Sequence, residues 1–180
     1  MTKLKKPLVG IVGEIYVKYN AFSNNHAAEW LIAQGIEVVM PHFFEFFSGG
    51  LVAIQNAVKT HVKKRDALWL LSFLGQKLIG DFNHKFAAVM QAFRYYHPHQ
   101  DVRAIAEGAR DILSINHQYG EGWLLAGEIA AYAREGVQNV LCLQPFGCIA
   151  NHVIAKGVQK RLQAKFPSLN LLYLDADAGV

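Results

Sequence analysis

Cysteine and proline are scarce in this 180-residue chain, with two of the first and five of the second, and charged residues stop at 18%. Two thiols with no CxxC pair exclude a disulfide framework, and without an HExxH helix they leave no four-ligand zinc site. A phosphate loop is missing too, since Gly10-Ile-Val-Gly13 is neither GxGxxG nor GxxxxGKS/T. No apolar run approaches the ~20 residues of a membrane-spanning helix, the most apolar stretch being Ala67-Leu-Trp-Leu-Leu-Ser-Phe-Leu-Gly75. No secretory-type apolar segment follows the basic N-terminus, so the expected location is the cytoplasm, off the membrane. Net charge is +4, but the basic residues gather in Lys3-Leu-Lys-Lys6 and Lys59-Thr-His-Val-Lys-Lys-Arg65 without aromatic interleaving. Such runs are solvated faces, and no nucleic-acid partner is expected.

What is present is an ordered α/β pattern, 52% hydrophobic, in a chain sized for one domain over residues 1–180. Pro7-Leu-Val-Gly-Ile-Val-Gly13 reads as a strand buried on both faces. A polar loop from Glu14 to Ser23 leads to a helix over 24–34, capped by Ser23 or Asn24 and closed by Gly35. Ile36 to Met40 is the second strand. Helical stripes follow: Leu51, Ile54, Val58 and Val62; Phe82, Phe86, Val89, Met90 and Phe93; Val102, Ile105, Ala106, Ala109, Ile112 and Leu113. They make a helical insertion over about 49–116, with Ser48-Gly-Gly50, Gly80-Asp81 and His97-Pro98 as turn signals. A helix from Gly120 to about Glu135, a third strand from Asn139 to Leu143, a helix to about Lys165 and a fourth strand, Leu169 to Asp175, complete the pattern. The expected fold is a Rossmann/flavodoxin-like parallel sheet of about four strands in the order 2-1-3-4. A further helix is expected after the fourth strand, so the chain reads as a fragment of a larger multidomain protein. Leu171, Leu172, Tyr173 and Leu174 then have one face under-covered, which favours a homodimer.

In that order the carboxyl ends of the strands share one crevice. It gathers Glu14, Asn24, Asn25 and His26 after the first strand, Cys148, Asn151 and His152 after the third, and Asp175 and Asp177 after the fourth. Glu121, in Gly120-Glu-Gly-Trp123, joins them because a helix leading into a parallel strand starts at the same rim. The asparagines also suit helix capping alone, and the histidines suit local hydrogen bonds. Cys142, inside the third strand, reads as a buried core thiol. Cys148, in a loop ahead of a helix, occupies a position suited to chemistry.

Val9-Gly-Ile-Val-Gly-Glu14, Val17-Lys-Tyr19, Asn24-Asn-His26, Gly120-Glu-Gly-Trp123, Gln144-Pro-Phe-Gly-Cys148, Asn151-His152 and Asp175-Ala-Asp-Ala-Gly179 span nearly the whole chain. In this order they resemble the large activator proteins of 2-hydroxyacyl-CoA dehydratases, such as the 2-hydroxyglutaryl-CoA dehydratase activators, also called CoA-substrate-specific enzyme activases. The resemblance implies ATPase modules in the N-terminal part of the family's proteins and a later region similar to iron–sulfur-bearing dehydratase subunits. This chain resembles only part of that later region and lacks the ATP-binding pattern. The resemblance implies Cys148 as an iron–sulfur ligand and Cys142 as a second candidate. Where the family commonly reads Cys-Leu-Pro-Asn-His and Gly-Lys-Gly, this chain has Cys148-Ile-Ala-Asn-His152 and Ala155-Lys-Gly157, which relaxes the loop and fills a small contact point.

The expected function is therefore a domain of an activator-like or dehydratase-like protein, one wall of an iron–sulfur or electron-transfer site completed by other segments. A cluster is expected in the complete protein and none on this piece alone, which is not expected to be catalytic by itself. Expected partners are other domains of the same polypeptide and dehydratase subunits. Two alternatives stand beside it. One is a noncatalytic interaction module docking ATPase or dehydratase partners through the insertion. Trp69, Phe73, Phe82 and Tyr95 bear on it, although they read first as the domain's own core. The other is a thiol enzyme with Cys148 as nucleophile and His152 or His26 as base.

Overall fold

The computed structural model describes residues 6–98 and 100–177. Lys3 to Lys5 of the first basic run, and Ala178 and Gly179 of the closing motif, lie outside the described residues. The sheet has four parallel strands, β1 (Leu8–Gly13), β2 (Glu37–Val39), β3 (Asn139–Pro145) and β4 (Asn170–Ala176), in the order β2-β1-β3-β4. This is the α/β, Rossmann/flavodoxin-like arrangement that the two-sided apolar strands predict. Gly13 pairs with Leu143, and Gln144 pairs with Asp175, so the carboxyl ends of β1, β3 and β4 share one rim.

Strand side chains alternate between two layers, as a two-residue period requires. Val12, Val140, Cys142 and Leu171 face a core shared with α5 (Val102–Arg110), α6 (Gly122–Arg134) and α7 (Gln159–Lys165). Ile11, Leu141 and Leu143 face the other side, where α1 (Ile15–Tyr19) and the short α2 (Ala27–Ala33) contribute Val17 and Leu31. Helix α6 is the crossover into β3. Every residue from Gly122 to Tyr132 is buried, because sheet and helices enclose the helix on all sides. Its apolar run is the consequence of that position. The stripe Val102, Ile105, Ala106, Ala109, Ile112 and Leu113 is buried throughout, as its spacing predicts.

The insertion differs from expectation in three ways. It begins with α3 (Phe43–Lys59), earlier than residue 49, because Glu45 turns its carboxylate back to accept from the His42 N–H at 3.3 Å and starts the helix there. Ser48-Gly-Gly50 and Gly80-Asp81 are not turns but lie inside α3 and α4 (Ala67–Met90). Two glycines here mark close helix approach instead. A Cβ on Gly49 would stand 3.2 Å from Leu124, and one on Gly75 would stand 3.0 Å from Leu51. Finally, Phe73, Phe82 and Tyr95 are not core: they are 41%, 49% and 50% exposed. Among the described residues no helix is long and apolar enough to cross a membrane.

The polar loop after β1 also differs, since its first part coils into α1 and the next helix starts only at Ala27. His26, with φ of 56°, holds the N-cap position of α2 without a side-chain cap, and Asn24 Oδ1 accepts from the Ala27 N–H at 3.1 Å instead.

Candidate functional site

The rim is built first from backbone. Gly13, with φ of 142°, lies so close to the Leu143 backbone that a Cβ would collide with it, and the Glu14 N–H donates to Leu143 O at 3.0 Å. Glu14 then caps α1, accepting from the Val17 N–H at 2.8 Å. Glu121 accepts from the Ile15 N–H at 2.9 Å, and is 6% exposed. Gly120 and Gly122 flank it at φ of 58° and 36°, in the left-handed region that glycine tolerates. Both carboxylates therefore satisfy the free N–H groups at the start of α1. The same turn meets the thiol loop, because a Cβ on Gly120 would lie 3.1 Å from the Ala150 Cβ.

The thiol loop leaves β3 at Pro145. The Phe146 N–H donates to Ala176 O at 2.9 Å and keeps β4 alongside; Gly147 at φ of 80° then turns the chain, with the Cys148 N–H on Pro145 O at 3.2 Å. The segment that follows is a π-type turn over Ala150–Ala155, a 3₁₀ turn over Lys156–Val158 and only then α7. Single π-type turns inside helices recur at functional sites. This one fixes two residues of the set. Asn151 is fully buried, and its Nδ2 donates to Cys148 Sγ at 3.2 Å, while its Oδ1 has no partner among the described residues. One residue on, His152 Nε2 lies 2.9 Å from Asp175 Oδ1, with the Phe146 ring edge-on to the imidazole at 5.8 Å.

Asp175 is fixed from below. Gln144, its register partner, is fully buried, donates from Nε2 to Asp175 Oδ1, and leaves its own Oε1 without a partner among the described residues. The Gln144 donor, and then the His152 ring, hold the Asp175 carboxyl below its ordinary value of 3.8. Gln144, Asp175 and His152 thus form a chain of hydrogen bonds beside the thiol loop. Gln144 carries no signal of this role beyond being an amide at the end of an apolar strand. Asp177 is exposed, just past β4.

Three expected members sit elsewhere. Asn24, 7% exposed, donates from Nδ2 to Val17 O at 2.7 Å and ties α1 to α2. Asn24 and Asn25 line an apolar groove between α2 and the sheet face of β3 and β4, a cavity of about 560 Å³ bordered by Leu141, Leu172 and Leu174. His26 is exposed and lies 3.7 Å from Glu29. Cys142 belongs to the helix-side core at 0% exposure, and burial pushes its thiol up to about 12. Cys148 is the partly exposed thiol of the two.

A buried charge cluster lies beneath the rim. Lys18 of α1 and Glu128 of α6 pair at 3.7 Å, both inaccessible to solvent, with Glu45 and Glu121 close enough to add their fields. Burial, reinforced by those two carboxylates and opposed by Lys18, raises Glu128 to about 8. A lone acid in the apolar run Trp123 to Tyr132 was the available signal.

An iron–sulfur cluster generally takes four ligands, usually thiolates. Cys148 fits as one of them, with Asn151 as its hydrogen-bond donor, whereas Cys142 is closed off in the core. Among the described residues no three histidine, cysteine, aspartate or glutamate side chains converge as metal donors. No family model, curated protein or solved structure matches the chain.

Proposed function

We propose that this rim is one wall of an iron–sulfur or electron-transfer site in a protein of the 2-hydroxyacyl-CoA dehydratase activator or dehydratase kind, with Cys148 as this chain's donor. The remaining ligands come from other segments or subunits, as does ATP binding, for which the sequence has no motif. One observation carries the reading: the fully buried Asn151 directs its amide N–H to Cys148 Sγ. A donor fixed on a thiolate stabilises its charge and tunes the potential of a cluster bound to it. A bound cluster would supply one-electron transfer. The chain's own residues orient the thiolate, and His152 hydrogen-bonds Asp175 at the same rim.

The test is anaerobic reconstitution with ferrous iron and sulfide, alone and with 2-hydroxyacyl-CoA dehydratase subunits, on the native protein, Cys148→Ser and Cys142→Ser. The expected outcome is loss of bound iron, sulfide and the paramagnetic signal in Cys148→Ser only. Iron and sulfide contents equal in all three proteins would remove the ligand role.

A second reading, a noncatalytic interaction module, is favoured by α4, whose 24 residues bury only Ser72. A dehydratase subunit that co-sediments with native protein and not with Leu78→Glu supports it; equal co-sedimentation with both removes it.

A further inference from the structure

Glu128 and Tyr132 stand one turn apart in α6, so their side chains share a face of the helix. Both are buried, at 4% and 7% exposure, and among the described residues neither Glu128 Oε2 nor the Tyr132 hydroxyl has a hydrogen-bond partner. Gly10 of β1 makes room for the phenol, since a Cβ there would lie 2.6 Å from the ring. The two residues line one cavity of about 40 Å³ at the carboxyl end of β2, together with Glu45 of α3 and the apolar Val39, Ile105 and Val137. That volume takes a few water-sized groups. His97 and Glu135, both exposed, also line it and place its mouth at the surface.

Charge selects the occupant. Glu45, Glu121 and Glu128 are all buried, and Lys18 is the one buried cation among the described residues. The fields of Glu45 and Glu121 act on Glu128 against that of Lys18, so the cluster favours a further positive charge at the open Oε2. Among the described residues no three histidine, cysteine, aspartate or glutamate side chains converge as metal donors. Separate acceptors set in apolar walls suit instead a cation that donates hydrogen bonds. Burial, and then the fields of Glu128 and Glu45, keep the Tyr132 hydroxyl protonated, and its oxygen can accept. We propose that this cavity binds a small primary ammonium group, the ammonium ion or methylammonium, with one N–H donated to Glu128 Oε2 and another to the Tyr132 oxygen. Glu128 holds its proton up to about pH 8, against Lys18 on α1 and beside Glu45 on α3 and Glu121 on α6, and His42 lines the same cavity. The entering ammonium therefore releases that proton to solvent wherever Glu128 still carries it. The site does not use Cys148 and does not depend on its chemistry.

Thermal unfolding of the full chain at about pH 8.5 and constant chloride tests the site. Ammonium and methylammonium chloride are compared with potassium chloride, whose cation is similar in size to ammonium without N–H groups, and with tetramethylammonium chloride, which is larger and has none. Native protein, Tyr132→Phe and Glu128→Gln are melted in each salt. Ammonium and methylammonium are expected to raise the native Tm saturably, and the other two salts to leave it unchanged. Tyr132→Phe keeps the ring and removes an unpartnered hydroxyl, so it is expected to fold normally and to need about tenfold more ammonium for half the rise. Glu128→Gln is expected to lose the rise. A rise that potassium reproduces, or that survives unchanged in Tyr132→Phe or in Glu128→Gln, overturns the proposal. So does a native Tm indifferent to ammonium, which makes water the occupant.

Discussion

Lys18 and Glu128 meet at 3.7 Å with their side chains 5% and 3% exposed, joining α1 to the crossover helix directly under the rim. An ammonium and an acid removed from water face each other there, and among the described residues Glu128 Oε2 has no further hydrogen-bond partner. At about pH 9, where Glu128 is ionised, Lys18→Met strands the carboxylate in the core and is expected to cost about 3–5 kcal/mol. The double variant Lys18→Met/Glu128→Met removes both charges and is expected to recover most of that loss. Denaturant melts decide it; a double variant no more stable than Lys18→Met would show that the pair is not the relevant unit.

The same glutamate sets a pH dependence. Burial raises its pKa from 4.5 to about 8, so between those values the folded chain keeps a proton that the unfolded chain releases. Its contribution to stability is complete below about 4.5 and declines as pH rises toward about 8, by at most about 1.4 kcal/mol per pH unit. Glu128→Gln, which cannot titrate, is expected to flatten the fall in urea midpoint between about pH 5 and 8. Parallel curves for native and variant proteins would place the titration elsewhere.

The sheet order was legible because Val9 to Val12 and Val140 to Leu143 are apolar without a break, and Gly35 and Gly136 stop the preceding helices with positive φ. The rim was legible in part. Cys148, Asn151, His152 and Asp175 converge because strand ends and the turn after β3 are fixed by topology. Asn24, Asn25 and His26 leave that set because Glu14 caps a helix in the loop, which carries the following residues to the other face of the sheet. Gly49 misled for a different reason: the sequence signal for a turn and for a close helix contact, here with Leu124, is the same missing Cβ. Exposure of the α4 stripe was illegible, since spacing marks an apolar face without saying what covers it.

The bare face of β4 yields a solubility prediction. Leu172 and Leu174 are 61% and 46% exposed, while Leu171 and Tyr173 on the opposite face join the helix-side core. The under-covered face expected of this strand is therefore the α2 side. Leu172→Thr/Leu174→Thr puts β-branched residues into the strand and removes apolar area from the groove. It is expected to lower binding of an apolar dye such as ANS and to raise the solubility limit, with Tm within about 3 °C of native. Unchanged dye binding would mean that the groove is closed in solution.

The two thiols are expected to separate cleanly in alkylation. Cys142 is at 0% exposure, with its thiol raised to about 12 chiefly by burial and next by the field of Glu128. It is therefore both unreachable and protonated at neutral pH, and thiolate is the reactive form. Cys148 lies in the loop within reach of solvent, and the Asn151 amide hydrogen-bonds its sulfur. Iodoacetamide at neutral pH is expected to label Cys148 alone in the folded protein and both thiols in denaturant. Asn151→Leu is close in size and removes the donor that orients the sulfur, and is expected to change the labelling rate of Cys148 several-fold without exposing Cys142. Mass spectrometry of the alkylated peptides gives the rates. Labelling of Cys142 at a rate near that of Cys148 would contradict its burial in the core, and an unchanged Cys148 rate in Asn151→Leu would remove the role given to the amide.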